Sequence, residues 1–279
     1  MKEFLPRSQT ARKPVLIASD LPAWGRVALA VGIPVLEKMG FQACSLPTAL
    51  LSTHGAYPGA VLQSQTDFLE KAIVHLESLE LEFSAFLTGF VADEAQFDLL
   101  APLQKLVRSQ GGLNVTDPVM GDNGKLYSFF DGSFVSRMRS FLACSDLVTP
   151  NLTEAALLLG TDPASIPATE GELREWCAAL AKLGPRLVAV TSASVHGKPE
   201  FTAVACYDAE SGRFGLFPHK RVPVSYPGTG DLFASSLSGE LLIGVPFPAA
   251  VRRTVSRVRR AVISSYRRGY DPRSGLCVL

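Results

Sequence analysis

Cysteine is scarce in this chain and carries no pairing pattern. Its five residues, Cys44, Cys144, Cys177, Cys206 and Cys277, are odd in number, widely spaced and without a CxxC pair. That argues against a disulfide framework or a zinc site and points to reduced thiols. Long apolar runs are missing too, since none approaches the roughly 18 residues that a membrane-spanning helix needs. The charges in residues 1–6 lead into no apolar core, so a secretory signal is not expected and a cytoplasmic location is. Excess charge of either sign is absent, with 27 Lys and Arg against 26 Asp and Glu and a formal net charge of +1. Such a balance argues against nucleic acid or an acidic surface as the main partner. Internal repeats and low-complexity linkers are also lacking. Residues 1–279 therefore read as one domain, with 1–12 as a loosely ordered tail.

What is present is an alternation of two periods. Short apolar runs at 14–19, 41–46, 83–87, 113–116, 147–149 and 186–190 read as buried strands. Between them, helical spacing recurs at 65–79, 93–109, 133–142, 151–160 and 169–183, and the last helix is expected at 248–270. Residues 201–207 and 214–217 flank a turn and read as antiparallel strands. The fold class implied is α/β, with a mostly parallel central sheet covered by helices on both faces. Residues 47–58 are polar and punctuated by Pro and Gly, and read as a long loop that covers a site. In such folds ligands bind beyond the C-terminal ends of the strands. Ser19-Asp20, Thr48, Thr88-Gly89, Asp117, Thr149 to Asn151 and Thr191-Ser192 each follow a strand-like run, and together would line one rim.

The most informative stretch is Pro227-Gly228-Thr229-Gly230-Asp231, which opens into a small-residue apolar helix. Unpaired N–H groups at a helix N-terminus attract an anion, and glycines let a phosphate approach them. A carboxylate there opposes the anion, unless Asp231 removes a proton from a hydroxyl that attacks a phosphoryl group. The competing reading is a glycine turn with an acid favoured by the helix dipole.

Other segments carry paired readings of the same kind. Asp117 before Pro118 is either a turn former or a carboxylate aimed at a hydrated Mg²⁺ on ATP phosphates. Asp122-Asn123-Gly124 is a turn, with Tyr127 just after it placed to lie over a nucleotide. Asn151 and Glu154 have capping-box spacing and, at a ligand crevice, can also reach phosphate or the metal's waters. Thr191 and Ser192 are a polar loop or a source of hydroxyls for phosphates. His54 is a loop histidine, packing or ligand. The seven arginines from Arg252 to Arg268 read as a solvated helix face rather than a nucleic-acid surface.

Taken together, Asp117-Pro118-Val119-Met120-Gly121-Asp122, Thr149 to Glu154 and Gly228 to Asp231 resemble the vitamin kinases of the ribokinase superfamily, the pyridoxal kinases most of all. Residues 19–26 and 47–54 are similar to the subgroup often called pyridoxamine kinases. The resemblance runs from about residue 15 to 243 and implies a three-layer α/β/α sandwich, usually a homodimer, that moves the γ-phosphoryl of ATP to the 5′-hydroxyl of a B6 vitamer. It implies Asp231 as general base and the amides of Gly228, Thr229 and Gly230 as the anion hole. Asp117 and Glu154 would act on Mg²⁺, and Thr149 on a monovalent cation, K⁺ or Na⁺. Asp122, Tyr127, Asn151, Thr191 and Ser192 would contact ATP. Thr48 would reach the pyridine ring, with His54 and Tyr57 over it. Where many pyridoxal kinases carry serine this chain has Asp20, which would suit a cationic amine; Phe90 stands for a common tyrosine, and Thr53 and Gly55 replace Asn and Thr. The alternatives are a hydroxymethylpyrimidine or sugar kinase of the same superfamily, and a B6-binding protein without catalysis.

Overall fold

The computed structural model describes residues 12–278. The expected loose tail therefore lies, except for Arg12, outside the described residues; Arg12 itself donates to the Met39 carbonyl at 2.7 Å. In chain order the elements are β1 (Val15–Trp24), α1 (Leu29–Lys38), β2 (Ala43–Thr53), β3 (Leu62–Ser64), α2 (Thr66–Ser78), β4 (Ala85–Thr88), α3 (Ala95–Ser109) and β5 (Leu113–Thr116). A small hairpin of β6 (Gly121–Asp122) and β7 (Lys125–Leu126) follows, then α4 (Gly132–Phe141), β8 (Leu147–Val148), α5 (Leu152–Leu159) and α6 (Glu170–Ala181). The chain continues through β9 (Leu187–Ser194), β10 (Phe201–Asp208), β11 (Arg213–Lys220), α7 (Thr229–Leu242) and α8 (Phe247–Arg267).

Among the described residues nine strands form one sheet, in the order β11-β10-β9-β8-β5-β4-β1-β2-β3. The six from β2 to β9 run parallel, while β3, β10 and β11 add antiparallel edges. Alternation along each strand feeds two cores. Leu16, Phe86, Val148 and Val188 point into one with residues of α2 to α6. Val15, Ile17, Leu87 and Leu147 point into the other with residues of α1, α7 and α8. The result is three layers, with strand interiors apolar on both faces as a covered parallel sheet requires.

Several expectations change. The strand expected at 14–19 runs on to Trp24, because β2 pairs with it that far. Residues 47–53 are strand, not loop: β2 stays paired with β1 as far as Trp24↔Thr53 and with β3 at Leu51↔Leu62. The loop proper starts at His54. The Pro, Thr and Ser of 47–53 suit a loop by composition, but pairing on both sides overrides that preference. Likewise Thr191 to Ser194 continue β9 because β10 pairs there, with Ser194 opposite Thr202. The arginines of α8 also do more than face solvent. Arg253 and Arg257 reach the buried Glu240 of α7, at 3.2 and 2.9 Å. No helix among the described residues is long and apolar enough to cross a membrane.

Candidate active site

The C-terminal ends of β4 and β5 and the middle of β1 meet the N-terminal turns of α7. A narrow cavity there is lined by Ser19, Ala28, Gly89, Asp117, Asp231 and Ser235. Gly228 caps α7 with φ 88°, and a Cβ on it would stand 2.2 Å from the Arg26 carbonyl oxygen. Glycine is therefore required at this turn by both conformation and space. Gly230 is exposed, and a Cβ on it would be 3.7 Å from Asp117 Oδ2, so the glycine loop and Asp117 share the cavity.

Asp231 is half-buried in the first turn of α7. Burial raises its pKa, while the Ala28 amide, its own amide and nearby His54 oppose that rise. Asp117 directly follows β5 and precedes Pro118, is buried, and accepts the Thr149 hydroxyl at 3.1 Å. Burial and then the Asp231 charge push its pKa up to about 7. Asp20 stands where the β1–β2 register shifts between Ser19 and Leu21, and burial with the Asp231 charge again raises its pKa to about 7. Three carboxylates thus share one electrostatic field.

Glu154 is buried on the next helix, and both of its oxygens are spoken for by the backbone. They accept the amides of Met120 at 3.2 Å and Asn151 at 2.8 Å. The Asn151 side-chain oxygen accepts the Glu154 amide at 2.9 Å, and its side-chain nitrogen donates to the Gly121 carbonyl at 2.8 Å. The capping box therefore also ties α5 to the segment after Asp117. Burial raises the Glu154 pKa well above the ordinary range, as does the Asp117 charge, against the pull of those two amides.

The remaining expected residues fall into two groups. Tyr127 joins the acidic group: burial, and then Glu154, Asp122, Asp117 and Asp231, raise its phenol pKa. Thr191 is bridged to Asn151, and Ser192 beside it is exposed with φ 60°. Asp122 is exposed at the hairpin, its oxygens accepting the Asn123 amide and side chain at 2.8 and 3.0 Å. Thr48 is fully buried and donates its hydroxyl to the Phe90 carbonyl at 2.7 Å. His54 is different, because both ring nitrogens bond to the chain itself. Nε2 meets the Arg273 carbonyl at 2.7 Å, and Nδ1 accepts the Ala56 amide at 3.3 Å. Tyr57 packs edge-on against His54 and accepts the Trp24 indole N–H at 3.1 Å.

Sequence reasoning passed over Ala28 and the segment from Asp271 to Leu276. Ala28 looks like any helix-start alanine, yet it has φ 50° and ψ −126°. The C-terminal segment holds only turn residues that give no hint of what they touch.

Asp20, Asp117, Glu154 and Asp231 take part in none of the ion pairs found among the described residues. Buried carboxylates without a cationic side chain are the donor chemistry of a hard cation. Among the described residues no three His, Cys, Asp or Glu side chains are gathered to hold a metal by themselves. A hydrated Mg²⁺ needs only one or two carboxylates plus phosphate.

An anion-binding helix terminus, a carboxylate in its first turn and a second acid at a neighbouring strand end are the parts of a phosphotransferase of the small-molecule kinase type. The chain belongs to the phosphomethylpyrimidine kinase family, whose sequence model matches residues 32–274. A pyridoxal kinase of Arabidopsis thaliana is 32% identical over 262 residues, covering 86% of this chain and 79% of that one. A Bacteroides thetaiotaomicron structure that carries the phosphomethylpyrimidine kinase name and was determined with pyridoxal is 38% identical, with a TM-score of 0.90 over 95% of this chain and 93% of that one. Pyridoxal kinase from Lactobacillus plantarum superposes with a TM-score of 0.85 at 30% identity, over 95% and 94% of the two chains. The fold is thus the three-layer ribokinase-like sandwich.

Proposed function

We propose that this chain, as one folded unit in the cytoplasm, transfers the γ-phosphoryl of ATP to the 5′-hydroxyl of a vitamin B6 vitamer. The observation that carries this reading is Asp231, a half-buried carboxylate in the first turn of an anion-binding helix and inside the cavity that Asp117 also lines. Asp231 takes the hydroxyl proton, and the amides of Gly228, Thr229 and Gly230 stabilise charge on the transferring group. Asp117 directly, and Glu154 through water, would hold Mg²⁺, which supplies charge neutralisation on the phosphates. Thr149 would help hold K⁺ or Na⁺. On the nucleotide side we assign Tyr127, Asn151, Thr191, Ser192 and Asp122. On the acceptor side we assign Asp20, Thr48 and Tyr57. With both ring nitrogens of His54 engaged, its role is to hold the loop rather than to bond the vitamer.

An acidic Asp20 beside the acceptor suits a cationic amine, so pyridoxamine is the expected preference. Equal kcat/KM for pyridoxal and pyridoxamine, in both wild type and Asp20→Asn, would sink that assignment. A homodimer is supported by exposed Leu21, Leu50, Val61 and Leu62 on and beside β1, β2 and β3.

The deciding assay supplies ATP with pyridoxal, pyridoxamine, hydroxymethylpyrimidine and ribose in parallel. ADP release with a B6 vitamer is the expected result, and turnover of hydroxymethylpyrimidine alone would replace the reading by its neighbour in the family. Asp231→Asn is expected to lose about 10²–10⁴ in kcat while ADP still binds. Near-normal turnover in that variant would refute the base assignment.

A further inference from the structure

The segment from Asp271 to Leu276 touches three separate parts of the acceptor side. Its Ser274 carbonyl accepts the Arg26 amide at 3.0 Å, and Gly275 is bridged to Arg26. Its Leu276 amide donates to the Pro227 carbonyl at 3.4 Å, immediately before the glycine loop. Its Arg273 carbonyl takes the 2.7 Å bond from His54, at the start of the loop beside Tyr57. The segment is itself preorganised, with Asp271 accepting the Arg273 amide at 2.9 Å and Leu276 fully buried.

Arg26 is the centre of this arrangement. Its carbonyl lies between two glycines in the left-handed region: a Cβ on Gly228 would be 2.2 Å from it, and one on Gly275 would be 2.5 Å from it. Two residues beyond Arg26 is Ala28, which lines the cavity with Asp231, and three beyond Gly228 is Asp231 itself. The contacts of the C-terminal segment therefore set the spacing between the base and the Ala28 wall of the cavity. Through His54 they also set the loop over the acceptor. Glycine at 275 is needed because any side chain would drive Arg26 off this position.

We propose that residues 271–276 are a positioning clasp, locking the Arg26 strand end, the glycine loop and the His54 loop into one arrangement around the acceptor hydroxyl. The proposal rests on the phosphotransfer reading above. His54 is its positioning residue, acting through the Arg273 carbonyl rather than through the substrate.

His54→Phe keeps a ring and loses the donor, whereas His54→Gln keeps a donor at comparable reach. With pyridoxal as the probe, His54→Phe is expected to raise acceptor KM about three- to tenfold, the scale of one neutral hydrogen bond, with Kd for ADP unchanged. His54→Gln is expected to restore most of it. Gly275→Ala is expected to lower kcat by a similar factor. Amide hydrogen exchange is expected to quicken together in residues 54–57 and 271–276 of His54→Phe. Unchanged exchange in 271–276, or no recovery in His54→Gln, would overturn the clasp. Should wild type phosphorylate no B6 vitamer, the phosphotransfer reading falls, and the exchange measurement still decides whether the three segments are joined. If Gly275→Ala does not fold, the His54 pair carries the test alone.

Discussion

Ala28 and Asp231 line the same cavity, and Ala28 does so in a conformation, φ 50° and ψ −126°, that a side chain opposes. Local strain of this kind costs about 1–3 kcal/mol and persists only where surroundings hold it. Here α1 begins immediately after Ala28, and Arg26 is held two residues before it.

Replacing Ala28 with glycine removes the strain but adds about 0.5–1 kcal/mol of chain entropy to the cost of folding. Ala28→Gly is therefore expected to stabilise the fold by about 1 kcal/mol net, read as a raised Tm. Because the Ala28 side chain brings no polar group to the cavity, kcat is expected to stay within about twofold. A fall in Tm would show that the conformation is unstrained.

Stability is expected to fall with rising pH through the acidic range. Asp20 has a folded pKa of about 7 against an ordinary 3.8, so between these values the native state holds a proton that the unfolded chain has lost. Raising the pH then favours unfolding, and the stabilisation present below about pH 4 is gone above about pH 7. Asp20→Asn removes this dependence, worth at most about 4 kcal/mol. Nucleotide-free Asp20→Asn should match wild type in urea unfolding near pH 4 and exceed it at pH 8. A residual slope is expected from Asp117, which is raised in the same direction.

Asn151→Ala removes a cap and the donor to the Gly121 carbonyl in one change. The cap alone is worth about 1 kcal/mol, and the second bond adds a similar amount, so a loss of about 2 kcal/mol is expected in denaturant titration. The effect should not be confined to stability. KM for ATP is expected to rise, since the segment from Met120 to Tyr127 loses its tie to α5. Loss of stability with unchanged KM would reduce Asn151 to a cap.

Lysine at Leu62 tests the dimer. Leu62 is 42% exposed on the edge strand β3, where a charge costs the monomer little. Leu62→Lys is expected to shift wild-type dimer to monomer in light scattering, with Tm changed little at dilution. Monomeric wild type would dispose of the proposal.

Legibility followed the range over which each signal acts. The hairpin at Asn123-Gly124 was readable because turn chemistry is local, and Asn123 does take φ 52°. The capping box of Asn151 and Glu154 was readable for the same reason, its two partners lying three residues apart. The end of β2 was not. Whether Thr48 to Thr53 are strand depends on β1 and β3, which are brought alongside only by folding. The partner of His54 was not legible for the same reason, since Arg273 is 219 residues distant.

By itself the sequence determined the alternation of strand and helix, the family, and the residue types that can move a phosphoryl group, all of which rest on near-neighbour spacing. Tertiary structure alone decided how the acids behave. Burial beside Asp231 raises Asp20 and Asp117 out of their ordinary range, and no spacing along the chain encodes that field. It also decided what holds the site in place. Arg26 stands between Gly228 and Gly275, glycines 47 positions apart in sequence, because only the folded chain brings their empty Cβ positions against one carbonyl.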